Sequence, residues 1–271
     1  MQPHLIAIDL DGTLLSDEKT ISPKNRSTLF KLRELGHQVV IATGRPYRAS
    51  KAYYQQLALD TPMVNFNGAF VHHPSAPETF KTIHTPLEKE TAKTIIDTCE
   101  TFRVKNIMVE VMDDYYLRYM NKGFAEVFTL NQSPSDHGNL HHLIKNDPTS
   151  LLIHPNDEQH HQLKELLANA HAEVIEQRSW GAPWHVIEIV KAGLNKAVGL
   201  KEISAHLNIP QERVIAFGDE NNDLEMLEYA GCGVAMGNAI DELKSVANEE
   251  TSTNELDGVA TFLEEFFSVR T

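Results

Sequence analysis

Leu5-Ile6-Ala7-Ile8-Asp9-Leu10-Asp11-Gly12-Thr13 is an apolar run that stops on two carboxylates and a glycine. Four uninterrupted apolar residues are what a strand buried on both faces requires. The elements that follow fit such a strand. Ser22-Pro23 opens a helix, since Ser caps and Pro suits a first turn. Leu29, Leu32 and Leu35 give that helix an apolar face, and Gly36 closes it. A second run, Val39-Val40-Ile41-Ala42, precedes a helical stretch from Tyr47, and a third lies at Met63-Val64-Asn65-Phe66. Strand, helix, strand at this spacing predicts a Rossmann-like parallel sheet with right-handed crossovers.

The middle of the chain has another texture. A helix is predicted from Leu87 to Phe102, and a hairpin from Ile107–Val111 and Tyr115–Tyr119 around Asp113-Asp114. Leu151-Leu152-Ile153 reads as a strand, and the stretch from Asp157 to Ala170 as a helix striped by Leu163, Leu166 and Leu167. Val174-Ile175 and Val186-Ile187-Glu188-Ile189 read as further strands. This mixture predicts a small α+β domain. The parallel texture then returns. A helix is predicted from Lys196 to Leu207, a buried strand at Val214-Ile215-Ala216-Phe217, a helix from Asn222 to Tyr229, and a last apolar run at Gly233-Val234-Ala235-Met236. The expected organisation is α/β: a core of residues 1–82 and 185–271, split by an inserted α+β domain of residues 83–184.

Three polar groups directly follow predicted core strands. They are Asp9-Leu10-Asp11-Gly12-Thr13, Thr43-Gly44-Arg45, and Gly218-Asp219-Glu220-Asn221-Asn222-Asp223. A fourth, Lys196, opens the helix before the last of these strands. Open α/β sheets bind ligands beyond the carboxyl ends of their strands, so the three loops are expected to converge there. Phosphoryl transfer asks mainly for positioning and charge neutralisation. Asp9 is placed to attack phosphorus and become an acyl phosphate. Asp11 lies two residues on, and in extended chain it points the same way. There it would protonate the leaving oxygen and then activate water. Thr43 offers a hydroxyl and an amide to phosphoryl oxygens, and Lys196 offers a point charge. Asp9 and Asp219 are hard oxygen donors for Mg²⁺, with Asp223 one turn beyond Asp219 to brace them or hold a metal-bound water.

Asp-Leu-Asp-Gly-Thr-Leu-Leu at 9–15 resembles the first motif of the haloacid dehalogenase-like hydrolase superfamily. Thr43 within Ile-Ala-Thr-Gly-Arg, Lys196 and Gly-Asp-Glu-Asn-Asn-Asp resemble the second, third and fourth. Motif order and the two long gaps match members with a C2-type cap between the second and third motifs. Asn67-Gly68-Ala69, Gly237-Asn238-Ala239 and Asp257-Gly258-Val259-Ala260 are similar to the Cof-type branch.

The resemblance implies Asp9 as nucleophile and metal ligand. It implies Asp11 as acid/base, lending its backbone carbonyl to the metal. It further implies phosphate or substrate binding by Thr43, Gly44, Arg45, Lys196 and Asn222, and metal binding by Asp219 with Asp223 in support. The family often has Gly after the third-motif lysine, where this chain has Ala197. Lys191 is a second lysine nearby, but it precedes the expected helix.

Composition narrows the remaining classes. The 271 residues are 41% hydrophobic and 23% charged, ordinary for a globular protein. The formal charge of −14 argues against a nucleic-acid surface. No run approaches the ~20 apolar residues of a spanning helix, so no membrane partner is expected and a P-type ATPase is excluded. Met1 to His4 carries no basic stretch, and Asp9 breaks the first apolar run, so no signal peptide is expected. Cys99 and Cys232 match no metal or redox spacing, which favours reduced thiols and a cytoplasmic protein. His72-His73, His141-His142 and His160-His161 place neighbouring rings on different faces and are expected to be solvated surface. Trp180 and Trp184 are expected in the packing of the inserted domain or against substrate. Glu249-Glu250 is expected to be an exposed patch.

The expected activity is a Mg²⁺-dependent phosphatase for small phosphorylated metabolites, sugar phosphates first by resemblance. The alternatives are a phosphotransferase or mutase on the same scaffold, or a protein that only binds a phosphometabolite.

Overall fold

The computed structural model describes residues 2–120, 133–171, 175–179 and 186–269. Trp180, Trp184 and Val174 lie outside them. The chain divides into two compact units. One comprises Met1–Arg45, Ser50–Ile83 and Asn195–Thr271, and the other Pro46–Ala49 and His84–Leu194.

In chain order the elements begin β1 (Leu5–Ile8), α1 (Pro23–Glu34), β2 (Gln38–Ile41), α2 (Tyr47–Gln56), β3 (Met63–Asn65), β4 (Phe70–His72) and β5 (Ile83–His84). Next come α3 (Lys89–Thr101), β6 (Asn106–Val111), β7 (Asp114–Leu117), β8 (Asp136–His137), α4 (Leu140–Leu143), β9 (Ser150–His154), α5 (His160–His171), β10 (Ile175–Ser179) and β11 (Ile187–Lys191). The chain closes with α6 (Lys196–His206), β12 (Val214–Gly218), α7 (Leu224–Tyr229), β13 (Cys232–Ala235), α8 (Asp241–Val246), β14 (Glu249–Glu250) and α9 (Gly258–Phe266).

The first unit is built on a five-stranded parallel sheet in the order β14-β13-β12-β1-β2. Every residue of β1 is buried, as its unbroken apolar run requires. Ser22 caps α1 by accepting from the Asn25 amide at 3.0 Å. Ile8 pairs with Ile41 on one side and Phe217 on the other. The residues after each strand therefore emerge side by side at one edge of the sheet. Glu249-Glu250, exposed as expected, is also the outermost strand, β14.

One strand departs from the expected topology. β3 touches the parallel sheet only through a single bridge, Ala42 to Val64. That bridge is parallel, as expected, but the full pairing of β3 is with β4, antiparallel, in a separate three-stranded sheet β3-β4-β5. The cause is local: a tight turn at Phe66–Gly68 reverses the chain straight after β3. The histidines that follow are corrected by this fold. His72 is half-buried, stacks on Phe70 at 4.3 Å and bonds Asn65 Oδ1 at 3.1 Å, while His73 is buried. Neither is solvated surface, because β4 runs into the interior of the unit.

The second unit carries a six-stranded sheet, order β10-β11-β9-β6-β7-β8, antiparallel apart from the β7–β8 pair. Period-2 alternation splits β6 between its faces. Ile107 and Val109 join Ile95, Ile96, Leu163 and Leu167 of the helices in one core, while Met108 joins Tyr115, Leu117 and Leu152 on the other face. Arg48 and Glu110 form a buried ion pair in this unit, with Ser150 donating to the second oxygen of Glu110 at 2.5 Å. Among the described residues no helix is long and apolar enough to cross a membrane.

Burial, with a small contribution from His73, lowers the His72 pKa from 6.5 to about 4. The folded chain then binds fewer protons than the unfolded chain between those values. Stability should therefore fall as pH drops from 6.5 towards 4. The Tm of His72→Gln, which keeps a hydrogen-bonding amide, should vary less than wild type across that range. Parallel Tm–pH curves would refute this.

Candidate active site

β1 delivers Asp9 at its carboxyl end, where the Asp9 amide donates to the Phe217 carbonyl at 3.2 Å. The chain then folds back on itself, with the Leu14 amide donating to the Asp9 carbonyl at 3.3 Å and the Leu15 amide to Leu10 at 2.9 Å. Gly12 makes this return at φ +73°. A Cβ there would stand 2.1 Å from Asp219 Oδ2, so no larger residue fits.

Lys196 is the centre of the arrangement. It opens α6, capped by Asn195, whose side chain accepts from the Val198 amide at 3.1 Å. Its ammonium is fully buried and donates to Asp9 Oδ1 at 2.7 Å and Asp223 Oδ1 at 2.6 Å. The other oxygen of Asp223 accepts from the amides of Asp219 at 3.0 Å and Glu220 at 3.2 Å. Asp219 accepts from the buried Thr13 hydroxyl at 2.8 Å. Oxygens of Asp9, Asp219 and Asp223 all lie within 4.8 Å of one another.

Three buried carboxylates face one ammonium, and the electrostatics follow from that count. Burial opposes the charge on Lys196, but Asp223 and Asp9 outweigh it and hold its pKa above the usual lysine value. Burial pushes Asp9 well up; Lys196 counters this, and the charges of Asp223 and Asp219 add to it. Burial, with Asp223 beside it, lifts Asp219 to about 7 against the Thr13 hydrogen bond. With all three carboxylates ionised, two negative charges would be left over, the charge of one divalent cation. The donors are all carboxylate oxygens, and the second oxygens of Asp9 and Asp219 take no part in the bonds above. Such a hard, oxygen-only set fits a hard divalent cation, Mg²⁺ among them.

Asp11 stands apart from this trio. Its carboxylate takes two bonds from Arg45, Nε to Oδ2 and Nη2 to Oδ1, both at 2.6 Å, and one from Lys19 Nζ at 2.9 Å. Burial would raise its pKa, but Arg45 and Lys19 outweigh that and hold it at about 2. Arg45 lies over the Tyr53 ring at 5.4 Å. Thr43 is buried, its amide donating to Val64 at 3.0 Å and its hydroxyl accepting from the Arg45 amide at 3.1 Å. Gly44 lies against Asn67, and Asn222 donates to Asn67 Oδ1 at 2.9 Å. Lys191 ends β11, exposed, in the second unit.

Every site residue singled out in the sequence thus lies in the first unit, on loops at one edge of its sheet or at the start of α6. Four further contributors have no local sequence signal. Thr13 stands within the first motif, where spacing alone assigns its side chain no role. Lys19 sits in the polar stretch Asp17-Glu18-Lys19-Thr20, which carries no signal. Asn238 donates to the Gly12 carbonyl at 2.8 Å, and Asn254 to the Leu15 carbonyl at 3.0 Å, each from far along the chain.

A family model described as haloacid dehalogenase-like hydrolase matches residues 6–263. The 5-amino-6-(5-phospho-D-ribitylamino)uracil phosphatase YitU of Bacillus subtilis (strain 168) is 53% identical over 268 residues, 99% of each chain. The pyridoxal phosphate phosphatase YbhA of Escherichia coli (strain K12) is 31% identical over 97% of this chain and 98% of its own. A solved haloacid dehalogenase-like hydrolase from Bacteroides thetaiotaomicron superposes with a TM-score of 0.86 at 26% identity, covering 98% of this chain and 100% of that one. The chain belongs to the haloacid dehalogenase-like hydrolase family, and it is a phosphoric monoester hydrolase.

Lys196→Met would leave the buried carboxylates without their counter-charge. Removing one partner of a buried pair should cost roughly 3 kcal/mol of stability, read from the urea midpoint. Adding Asp223→Asn should recover part of the loss. A Lys196→Met variant as stable as wild type would contradict the assignment of Lys196 as the counter-ion of the cluster.

Proposed function

We propose that the enzyme is a Mg²⁺-dependent phosphatase that hydrolyses a small phosphorylated metabolite through an aspartyl-phosphate on Asp9. The observation that carries this reading is the buried cluster of Asp9, Asp219, Asp223 and Lys196 at the head of the parallel sheet. The metal would be held by Asp9, Asp219 and the backbone carbonyl of Asp11, with Asp223 in support. When bound it supplies positive charge against the phosphoryl oxygens.

An oxygen of Asp9 attacks phosphorus, forming an acyl phosphate as the bond to the ester oxygen breaks. The Asp11 carboxyl gives its proton to the departing alkoxide. Water then attacks phosphorus, Asp11 takes the proton, and inorganic phosphate leaves with Asp9 restored. Thr43, Gly44, Lys196 and Asn222 orient the phosphoryl group. Asp11 begins this cycle ionised, because Arg45 and Lys19 bind it. The dianionic phosphate competes for the Arg45 guanidinium. Once Arg45 turns to the substrate, the Asp11 carboxyl loses two hydrogen bonds and can take up the proton it must donate.

For the substrate, the 53% identity to YitU along the whole chain favours 5-amino-6-(5-phospho-D-ribitylamino)uracil. That compound joins the sugar-phosphate expectation to a particular form, a phosphate on an open ribityl chain attached to a pyrimidine. The inserted unit, by the family resemblance, carries the choice among substrates.

Asp9→Asn should abolish phosphate release while Tm stays near the wild-type value, and retained turnover would remove Asp9 as nucleophile. EDTA should stop the reaction and Mg²⁺ restore it; a chelator-resistant enzyme would contradict the metal assignment. In a panel of phosphomonoesters with Mg²⁺, the phosphoribitylamino-uracil should show the highest kcat/KM. A simple hexose phosphate ranking first would return the substrate to the plain sugar-phosphate class.

A further inference from the structure

Phe66, Asn67 and Gly68 follow one another with φ of +49°, +52° and +102°. Left-handed backbone is unusual for any residue but glycine, and for a bulky one such as Phe it is an outlier. Three in succession persist only where the surroundings hold them, and such segments gather at functional sites. The bonds around this one show what holds it. The Asn67 amide donates to the Thr43 carbonyl at 3.1 Å, and the Phe66 amide to the Arg45 carbonyl at 3.3 Å. The Asn65 side chain reaches the same Arg45 carbonyl at 2.8 Å.

The side chain of Asn67 points the other way, into the site. It is buried, and its Oδ1 accepts from Asn222 Nδ2 at 2.9 Å. Its amide also covers Gly44 so closely that a Cβ there would meet Asn67 Nδ2 at 3.0 Å. Gly68 lies against the start of α6, where a Cβ would stand 2.3 Å from the Asn195 carbonyl. Asn195 is the cap of the helix that begins with Lys196. One strained turn therefore touches the loop of Thr43–Arg45, the loop of Asn222, and the helix start that presents Lys196.

We propose that Asn67 is a positioning residue for phosphoryl transfer: its side-chain amide fixes Asn222 against the Thr43–Gly44 loop, so that both loops hold the phosphoryl group in one geometry. The proposal rests on the phosphatase reading above. It explains why a left-handed position here carries Asn and not Gly. Asn is among the few side chains that tolerate this conformation, and it adds the amide that glycine lacks.

The test is Asn67→Gly, assayed on the phosphoribitylamino-uracil and on p-nitrophenyl phosphate with Mg²⁺. Glycine accepts the backbone angle, so Tm should stay near wild type. A loosened phosphoryl site should lower kcat about ten- to a hundredfold, with KM changed far less. Asn67→Asp keeps the accepting oxygen but sets a negative charge beside the phosphate, so it should recover part of kcat while raising KM. Asn67→Gly combined with Asn222→Ala should be no slower than the slower single variant, because both break one bond. Full kcat in Asn67→Gly, a collapsed Tm, or single effects that multiply would each overturn the proposal. A wild type that releases no phosphate from any phosphomonoester would instead overturn the phosphatase reading, and this inference with it.

Discussion

The site end of the first unit is organised around one buried cation, Lys196. Lys196 holds Asp9 and Asp223 at 2.7 and 2.6 Å with no exposure to solvent. Burying carboxylates without a partner is prohibitive, and one ammonium makes the grouping tolerable. The compensation is incomplete. With all three carboxylates ionised two charges remain, and on the proposed reading they make this sheet edge a place for a divalent cation and a phosphate. A fully neutralised cluster would be more stable and would have no use for either.

That constraint accounts for several features at a distance. Gly12 is glycine because Asp219 passes where its Cβ would be. Thr13 is buried to hold Asp219, and the amides of Asp219 and Glu220 converge on the oxygen of Asp223 that Lys196 does not use. Asp11, two residues from Asp9, escapes the cluster because Arg45 and Lys19 draw its carboxylate elsewhere. The two aspartates of one short motif thus have opposite electrostatics. Asp9 is pushed up by burial among like charges, and Asp11 is held down by paired cations. Separation of that kind is how two neighbouring carboxyl groups come to do different chemistry.

The parallel core, and the polar residues that emerge at its strand ends, were legible because they rest on local signals. Unbroken apolar runs mark strands buried on both faces, and the polar groups directly after them must emerge at the strand ends. From this alone Asp9, Thr43, Asp219 and Lys196 could be placed in one unit. The resemblance of four motifs in order then named the reaction. The α+β texture of the middle of the chain was legible in the same way, with Ile107 and Val109 alternating against Met108 along β6.

The remainder depends on pairings between residues far apart in the chain, which no local pattern encodes. The run Met63–Asn65 reads as a third parallel strand. It keeps one parallel bridge, Ala42 to Val64, and becomes a hairpin strand as well because the next three residues turn left-handed, held by carbonyls at Thr43 and Arg45. Adjacent histidines look like surface until β4 carries His72 and His73 inward. Lys19 has no motif at all, and its role comes from a fold-back that brings it to 2.9 Å from Asp11. Residue order was enough to say which side chains reach the sheet edge, since strand periodicity and burial are local. Which oxygen each cation binds, and which aspartate is left charged, was settled by packing, since electrostatic energy depends on distances that only the folded chain sets.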